Sequence, residues 1–228
     1  MKPASASSLL RVFLFLTVAW TAAADVQITT LTKPENSLFQ IGGPDPNSTY
    51  LVLPFSIDAQ GYTLNSITAR VFDTGVAPGA LNAVLYQAGG DFLPTGAALV
   101  SFSFAAIPLN TGPDTVFTPN SAVTLASGSR YAFALQPTSG NFVWIETSAS
   151  NGFDQPAGNP WGMPAGLVLS QDSGASWTAL DSATYPYRQI GAVDATPLIA
   201  PIPEPSAWMG LSALGLISYA LCRRMNRR

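Results

Sequence analysis

Apolar residues recur at every second position through much of the chain. Ser66-Ile67-Thr68-Ala69-Arg70-Val71 sets Ile67, Ala69 and Val71 on one side and Ser66, Thr68 and Arg70 on the other. Arg130-Tyr131-Ala132-Phe133-Ala134-Leu135-Gln136 aligns Tyr131, Phe133 and Leu135 in the same way. Such alternation marks a strand with one buried face. Asn141-Phe142-Val143-Trp144-Ile145-Glu146 and Gly166-Leu167-Val168-Leu169-Ser170 are more continuously apolar, as strands covered on both faces are. Further strands are predicted over Val26 to Leu31, Tyr50 to Ile57, Asn82 to Gln87, Ala98 to Phe104, Asp114 to Phe117 and Tyr187 to Val193.

Turn residues punctuate these runs at Gly42-Gly43-Pro44-Asp45-Pro46, Pro78-Gly79, Gly89-Gly90-Asp91, Thr111-Gly112-Pro113-Asp114, Ser127-Gly128 and Ser139-Gly140-Asn141. No segment between residues 25 and 202 sustains a 3.6-residue stripe. The pattern predicts an all-β, antiparallel β-sandwich, jelly-roll-like, with about eight to eleven strands. The longest irregular stretch runs from Gly152 to Pro164. Its Phe153 and Trp161 are the candidate ligand-binding aromatics, against the simpler expectation that they cap a sheet.

The two ends of the chain follow different patterns. Lys2 and Arg11 give a positive start, Val12 to Ala19 an apolar centre, and Ala22-Ala23-Ala24 a small-residue cleavage site before Asp25. That is the layout of a signal peptide over residues 1–24, with Ala22, Ala24 and Asp25 at the signal peptidase site. At the other end, Pro203-Glu204-Pro205 precedes an uncharged run from Ser206 to Cys222, followed by Arg223, Arg224, Arg227 and Arg228. As a helix the run spans about 25 Å, close to the hydrocarbon core of a bilayer. Trp208 and Tyr219 stand near its ends, and the arginines hold the C-terminus in the cytoplasm as a basic anchor. The organisation expected is signal peptide 1–24, exported β-sandwich domain 25–198, and linker with sorting tail 199–228. Within the tail, 203–205 is the motif, 206–222 the transmembrane helix and 223–228 the basic cluster.

This tripartite tail resembles the PEP-CTERM sorting signal, which exosortase-type membrane peptidases of Gram-negative bacteria read. The resemblance covers residues 203–228. It implies cutting near Pro203-Glu204-Pro205 and a processed protein that ends close to Pro205. It also implies an inner-membrane intermediate, then a place at the cell surface or in extracellular polymer.

Charge sharpens the picture. Between residues 25 and 202 stand four basic side chains against twelve acidic ones, a net charge of −8, whereas the whole chain carries −3. Such a surface repels phosphate backbones, so nucleic acid is not an expected partner. The one cysteine, Cys222, lies in the tail, so the domain has no disulfide and depends on burial for stability. The chain has no histidine, which removes Ser-His-Asp triads, Cys-His pairs and His-based zinc or copper sites. No phosphate-binding or dinucleotide fingerprint is present, and Glu35 and Glu146 have no evident carboxylate partner. No enzymatic activity, catalytic residue, metal site or cofactor is expected.

Ser170-Gln171-Asp172-Ser173-Gly174-Ala175-Ser176-Trp177 fits the Ser-x-Asp-x-Gly-x-x-Trp pattern of the Asp box. The residue types suit a hairpin turn. Asp172 accepts turn amides, Gly174 takes positive φ, and Trp177 packs against the hairpin base. A single box in so short a domain reads as structural rather than as part of a sialidase-like propeller.

The domain also resembles the choice-of-anchor β-sandwich modules. Tyr-Thr-Leu-Asn-Ser-Ile-Thr-Ala-Arg-Val at 62–71, Ala-Val-Leu-Tyr at 83–86, Ser-Gly-Ser-Arg-Tyr-Ala-Phe-Ala-Leu at 127–135 and Asp-Ser-Gly-Ala-Ser-Trp at 172–177 carry the likeness. It covers about residues 48–195 and implies a fold and a surface habit, not a reaction.

The sequence therefore points to an exported surface or extracellular-matrix structural protein, associated with exopolysaccharide or biofilm. The other reading is a carbohydrate-binding module or adhesin, with Trp144, Trp161, Tyr185 and Tyr187 as further platforms. The expected partners are signal peptidase, an exosortase-type peptidase, the membrane through the C-terminal helix before processing, and extracellular polysaccharide.

Overall fold

The computed structural model describes residues 26–42, 49–57, 60–75, 79–111, 113–155 and 161–198. The signal peptide and the sorting tail expected from the sequence lie outside them.

Strands dominate because alternating apolar residues and β-branched or aromatic side chains favour a half-buried pleated surface. In chain order they are β1 (Val26–Thr29), β2 (Ser37–Gly42), β3 (Tyr50–Ser56), β4 (Tyr62–Ala69), β5 (Val71–Asp73), β6 (Ala80–Ala88), β7 (Pro94–Phe104), β8 (Thr115–Pro119), β9 (Thr124–Leu125) and β10 (Arg130–Ser139). They continue as β11 (Asn141–Ser148), β12 (Leu167–Ser170), β13 (Thr178–Leu180), β14 (Tyr187–Gln189) and β15 (Gly191–Pro197). The described residues contain no α-helix, only a 3-10 turn at Ala149–Asn151.

Eleven strands form one curled sheet in the order β1-β15-β4-β8-β7-β6-β10-β3-β12-β13, with β9 beside β4. The long strand β7 makes the corner. Pro94, Thr95, Val100 and Ser101 pair with β6, and Phe102 to Phe104 pair with β8. The sheet thus folds over itself as an antiparallel sandwich. Non-consecutive neighbours such as β3 with β10 and β12 give the jelly-roll-like wrap.

Inward residues of both halves meet in one core. Phe133 sits at its centre, with Phe102 and Phe117 each 5.1 Å away between ring centroids and Trp144 at 6.2 Å. All four rings are buried, and edge-on packing of this kind suits the ring quadrupoles.

A second, four-stranded sheet runs β14-β11-β2, with β5 also on β11. Its strand β11 is buried on both faces. Phe142 and Trp144 join the main core, while Val143 and Ile145 pack with Ile190 in a smaller cluster. The two sheets meet at a ring of three backbone hydrogen bonds. Arg70 N–H donates to the Ile190 carbonyl (3.1 Å), Ile190 N–H to Ile145 (2.8 Å), and Ile145 N–H to Arg70 (3.0 Å).

Two expected strands therefore divide. The run 66–71 breaks at Arg70 into β4 and β5, and the run 187–193 breaks at Ile190 into β14 and β15. With β2, β9 and β13 also unanticipated, the strand count exceeds the expected eight to eleven.

Candidate functional site

Ala22, Ala24, Asp25, Pro203, Glu204, Pro205, Arg223, Arg224, Arg227 and Arg228 lie outside the described residues. The transmembrane helix expected at 206–222 lies there too. Among the described residues no helix is long and apolar enough to cross a membrane.

The Asp box forms the turn between β12 and β13. The Asp172 carboxylate accepts from Ser176 N–H (2.8 Å), the Ser176 hydroxyl (2.6 Å) and the Ser170 hydroxyl (2.7 Å). Ser170 Oγ in turn accepts from Gly174 N–H at 2.8 Å. The hydroxyl and amide of Ser176, then the Ser170 hydroxyl, hold the Asp172 carboxyl down at about 2. Gly174 has φ +88°, and a Cβ there would press on the Tyr50 ring at 3.3 Å. The turn projects Trp177 back over the sheet, 6.5 Å from Tyr50 and 6.2 Å from Tyr86 between ring centroids.

Phe153 and Trp161 do not form an exposed pair. Trp161 is 3% exposed and lies in the main core, parallel to Phe55 within 8° at 6.1 Å and edge-on to Tyr62 at 4.8 Å. It is not a platform for a ligand, which corrects the expectation for this residue. Phe153 is half-buried against the same core, with the Arg188 guanidinium 5.8 Å from its ring centre. The described parts of this stretch are stitched to strands. Asp154 exchanges backbone bonds with Thr29 (2.7 and 2.9 Å), and Gly162 with Ser56 (2.8 and 3.0 Å). The Asp154 side chain pairs with Lys33 at 2.5 Å. The placement of Phe153 and Trp161 against the core agrees with the simpler expectation that these aromatics cover a sheet.

The other suggested platforms have structural partners. Trp144 is fully buried and donates its indole N–H to the Ile190 carbonyl at 3.0 Å. Tyr185 and Tyr187 pack edge to face at 5.3 Å. Tyr185 also donates its hydroxyl to Glu146 at 2.5 Å. Glu146 is fully buried on β11 and accepts from Gln189 Nε2 at 3.3 Å. Burial raises its carboxyl above the ordinary range, while hydrogen bonds from Tyr185, Gln189 and Ser37 pull it partly back. Desolvation, and then the Glu146 carboxylate, push the Tyr185 phenol well up.

Two clefts remain. One, of about 340 Å³, surrounds Arg70. Arg70 makes four hydrogen bonds: Nε and Nη2 grip Asp114 (2.7 and 3.1 Å), Nη1 meets Glu35 (3.0 Å), and Nη2 also meets the Leu31 carbonyl (3.2 Å). Its charge is matched by Asp114 and Glu35, both of which also line the cleft. The second cleft, about 370 Å³, lies on the outer face of the main sheet beside Pro54, Phe92 and Val168. Phe92 lay hidden from sequence reasoning in a segment read only as the turn Gly89-Gly90-Asp91. Among the described residues, no three His, Cys, Asp or Glu side chains converge as a metal site would require.

Residues 201–227 match the family model of the PEP-CTERM protein-sorting motif. The chain therefore carries that motif near its C-terminus, which implies an exported protein that transits the membrane, is processed by an exosortase and reaches the cell surface. No curated protein matches the chain.

Proposed function

We propose that the chain is a non-catalytic structural component of the extracellular matrix, associated with the exopolysaccharide of a Gram-negative bacterium. The observation that carries this reading is the sorting motif at 201–227, which follows closely on β15 and so on the end of the sandwich. A domain built on an aromatic core, with Asp172 engaged in a turn and Glu35, Asp114 and Asp154 in ion pairs, suits a passive, durable surface part. In this reading the signal peptide ends at Ala24 and the processed chain runs from Asp25 to near Pro205.

Intact mass and fraction location of the protein in its own host, with and without the sorting peptidase, test the proposal. The expected result is loss of both ends and a peptidase-dependent presence in extracellular polymer. A full-length C-terminus retained in the inner membrane would overturn it.

A further inference from the structure

Val168, Val52, Ala134 and Val84 stand in one cross-strand row over β12, β3, β10 and β6. They face away from the main core, yet all four are buried. Trp177 from the Asp-box hairpin and Phe92 and Leu93 from the β6–β7 turn pack onto this outer cluster. The cleft of about 370 Å³ opens on the same face, bordered by Pro54, Phe92, Val168, Leu180, Asp91 and Asp181. That volume lies within the range of small-molecule sites.

Phe92 is backbone-strained, with φ +64°. A side chain in the left-handed region carries strain that glycine would avoid, and strain of this kind gathers at ligand clamps. The Arg130 guanidinium lies 5.4 Å from the centre of the Phe92 ring and steadies it. The cleft thus combines an apolar floor, a fixed aromatic ring and two exposed carboxylates. Asp181 is partly engaged, accepting from Thr184 N–H at 2.9 Å.

We infer that this cleft binds a neutral saccharide unit. The C–H face of a sugar ring matches the Phe92, Pro54 and Val168 surface, and its hydroxyls can donate to Asp91 and Asp181. Carboxylates on the border, in a domain of net charge −8, repel uronates, sulfates and phosphates, so the ligand is an uncharged sugar. The site goes beyond a passive structural role and does not depend on it.

The test is isothermal titration of processed protein recovered from its host, using neutral oligosaccharides of glucose, mannose and galactose. Saturable binding is expected with at least one of them. Phe92→Gly should weaken it about tenfold or more, and circular dichroism checks that the fold survives the loss of the ring from the outer cluster. Asp91→Asn with Asp181→Asn should weaken it as well and keeps the fold testable should Phe92→Gly fail to fold. No binding to any sugar at millimolar concentration overturns the inference. So does binding that both variants leave unchanged, or binding only of cationic glucosamine oligomers.

Discussion

Replacing Trp161 with alanine tests whether the aromatic of the 152–164 stretch belongs to the core. The indole is 3% exposed, stacked on Phe55 and edge-on to Tyr62, so truncation removes nearly a whole buried ring and leaves a cavity. Large-to-small changes of this kind cost about 3–5 kcal/mol. For a domain of this size each kcal/mol moves the melting temperature by about 2–4 °C, so a fall of about 6–20 °C is expected. Trp161→Phe separates packing from polarity. It keeps a ring against Phe55 and deletes an indole N–H that meets no acceptor among the described residues. Relief of that buried donor, worth about 1–3 kcal/mol, offsets part of the lost volume. The phenylalanine variant should therefore lose less than half of what the alanine variant loses. Thermal unfolding followed by circular dichroism on the processed protein reads both. If Trp161→Ala melted within about 2 °C of the parent, the indole would not be a core group and the packing argument would fail.

Asp172→Ala should lower the melting temperature by releasing the Ser176 and Ser170 donors. The Asp172 folded-state pKa, about 2, lies below its unfolded value. Its contribution is thus present above the ordinary carboxyl range and lost as pH falls toward 2, so the variant should differ from the parent less at pH 2 than at pH 7. Glu146 has the opposite sign. Its folded-state pKa is raised, so its contribution is full below the unfolded value and lost as pH rises through the folded one. Glu146→Gln should flatten that decline in a melting series from pH 4 to pH 8; an unchanged slope would assign it elsewhere. Arg70→Lys should destabilise although charge is kept, because an ammonium cannot hold both oxygens of Asp114. A double-mutant cycle with Asp114→Asn should show coupling, and additive losses would refute the bidentate grip.

Local pattern revealed most strands but not their sheet membership. Alternation in 130–136 became β10 because a single buried face imposes a period of two, and the continuous apolar runs became β11 and β12, each covered on both sides. The splits at Arg70 and Ile190 left no trace in the periodicity. A strand that passes from one sheet to another keeps its alternation, since each sheet buries the same parity. Strand β2 escaped notice because Leu38 is 60% exposed beside the inward Phe39 and Ile41, which blurs the contrast between faces. The Asp-box turn was legible because its bonds are local. The site at Phe92 was not, because its cleft joins a turn at 89–93 to strands at 54 and 168, and only the fold brings those together.

Strand β15 is held on both flanks, by β1 over Val26 to Thr29 and by β4 over Tyr62 to Ala69. It is also the last strand among the described residues before the sorting motif. Where tension from that end runs along the axis of β15, it loads the ladders with β1 and β4 in shear. The ladder bonds on both sides then share the load at once, as in a lap joint, instead of parting singly like a zip. A protein tethered near this end would meet drag from flowing medium with its most resistant geometry.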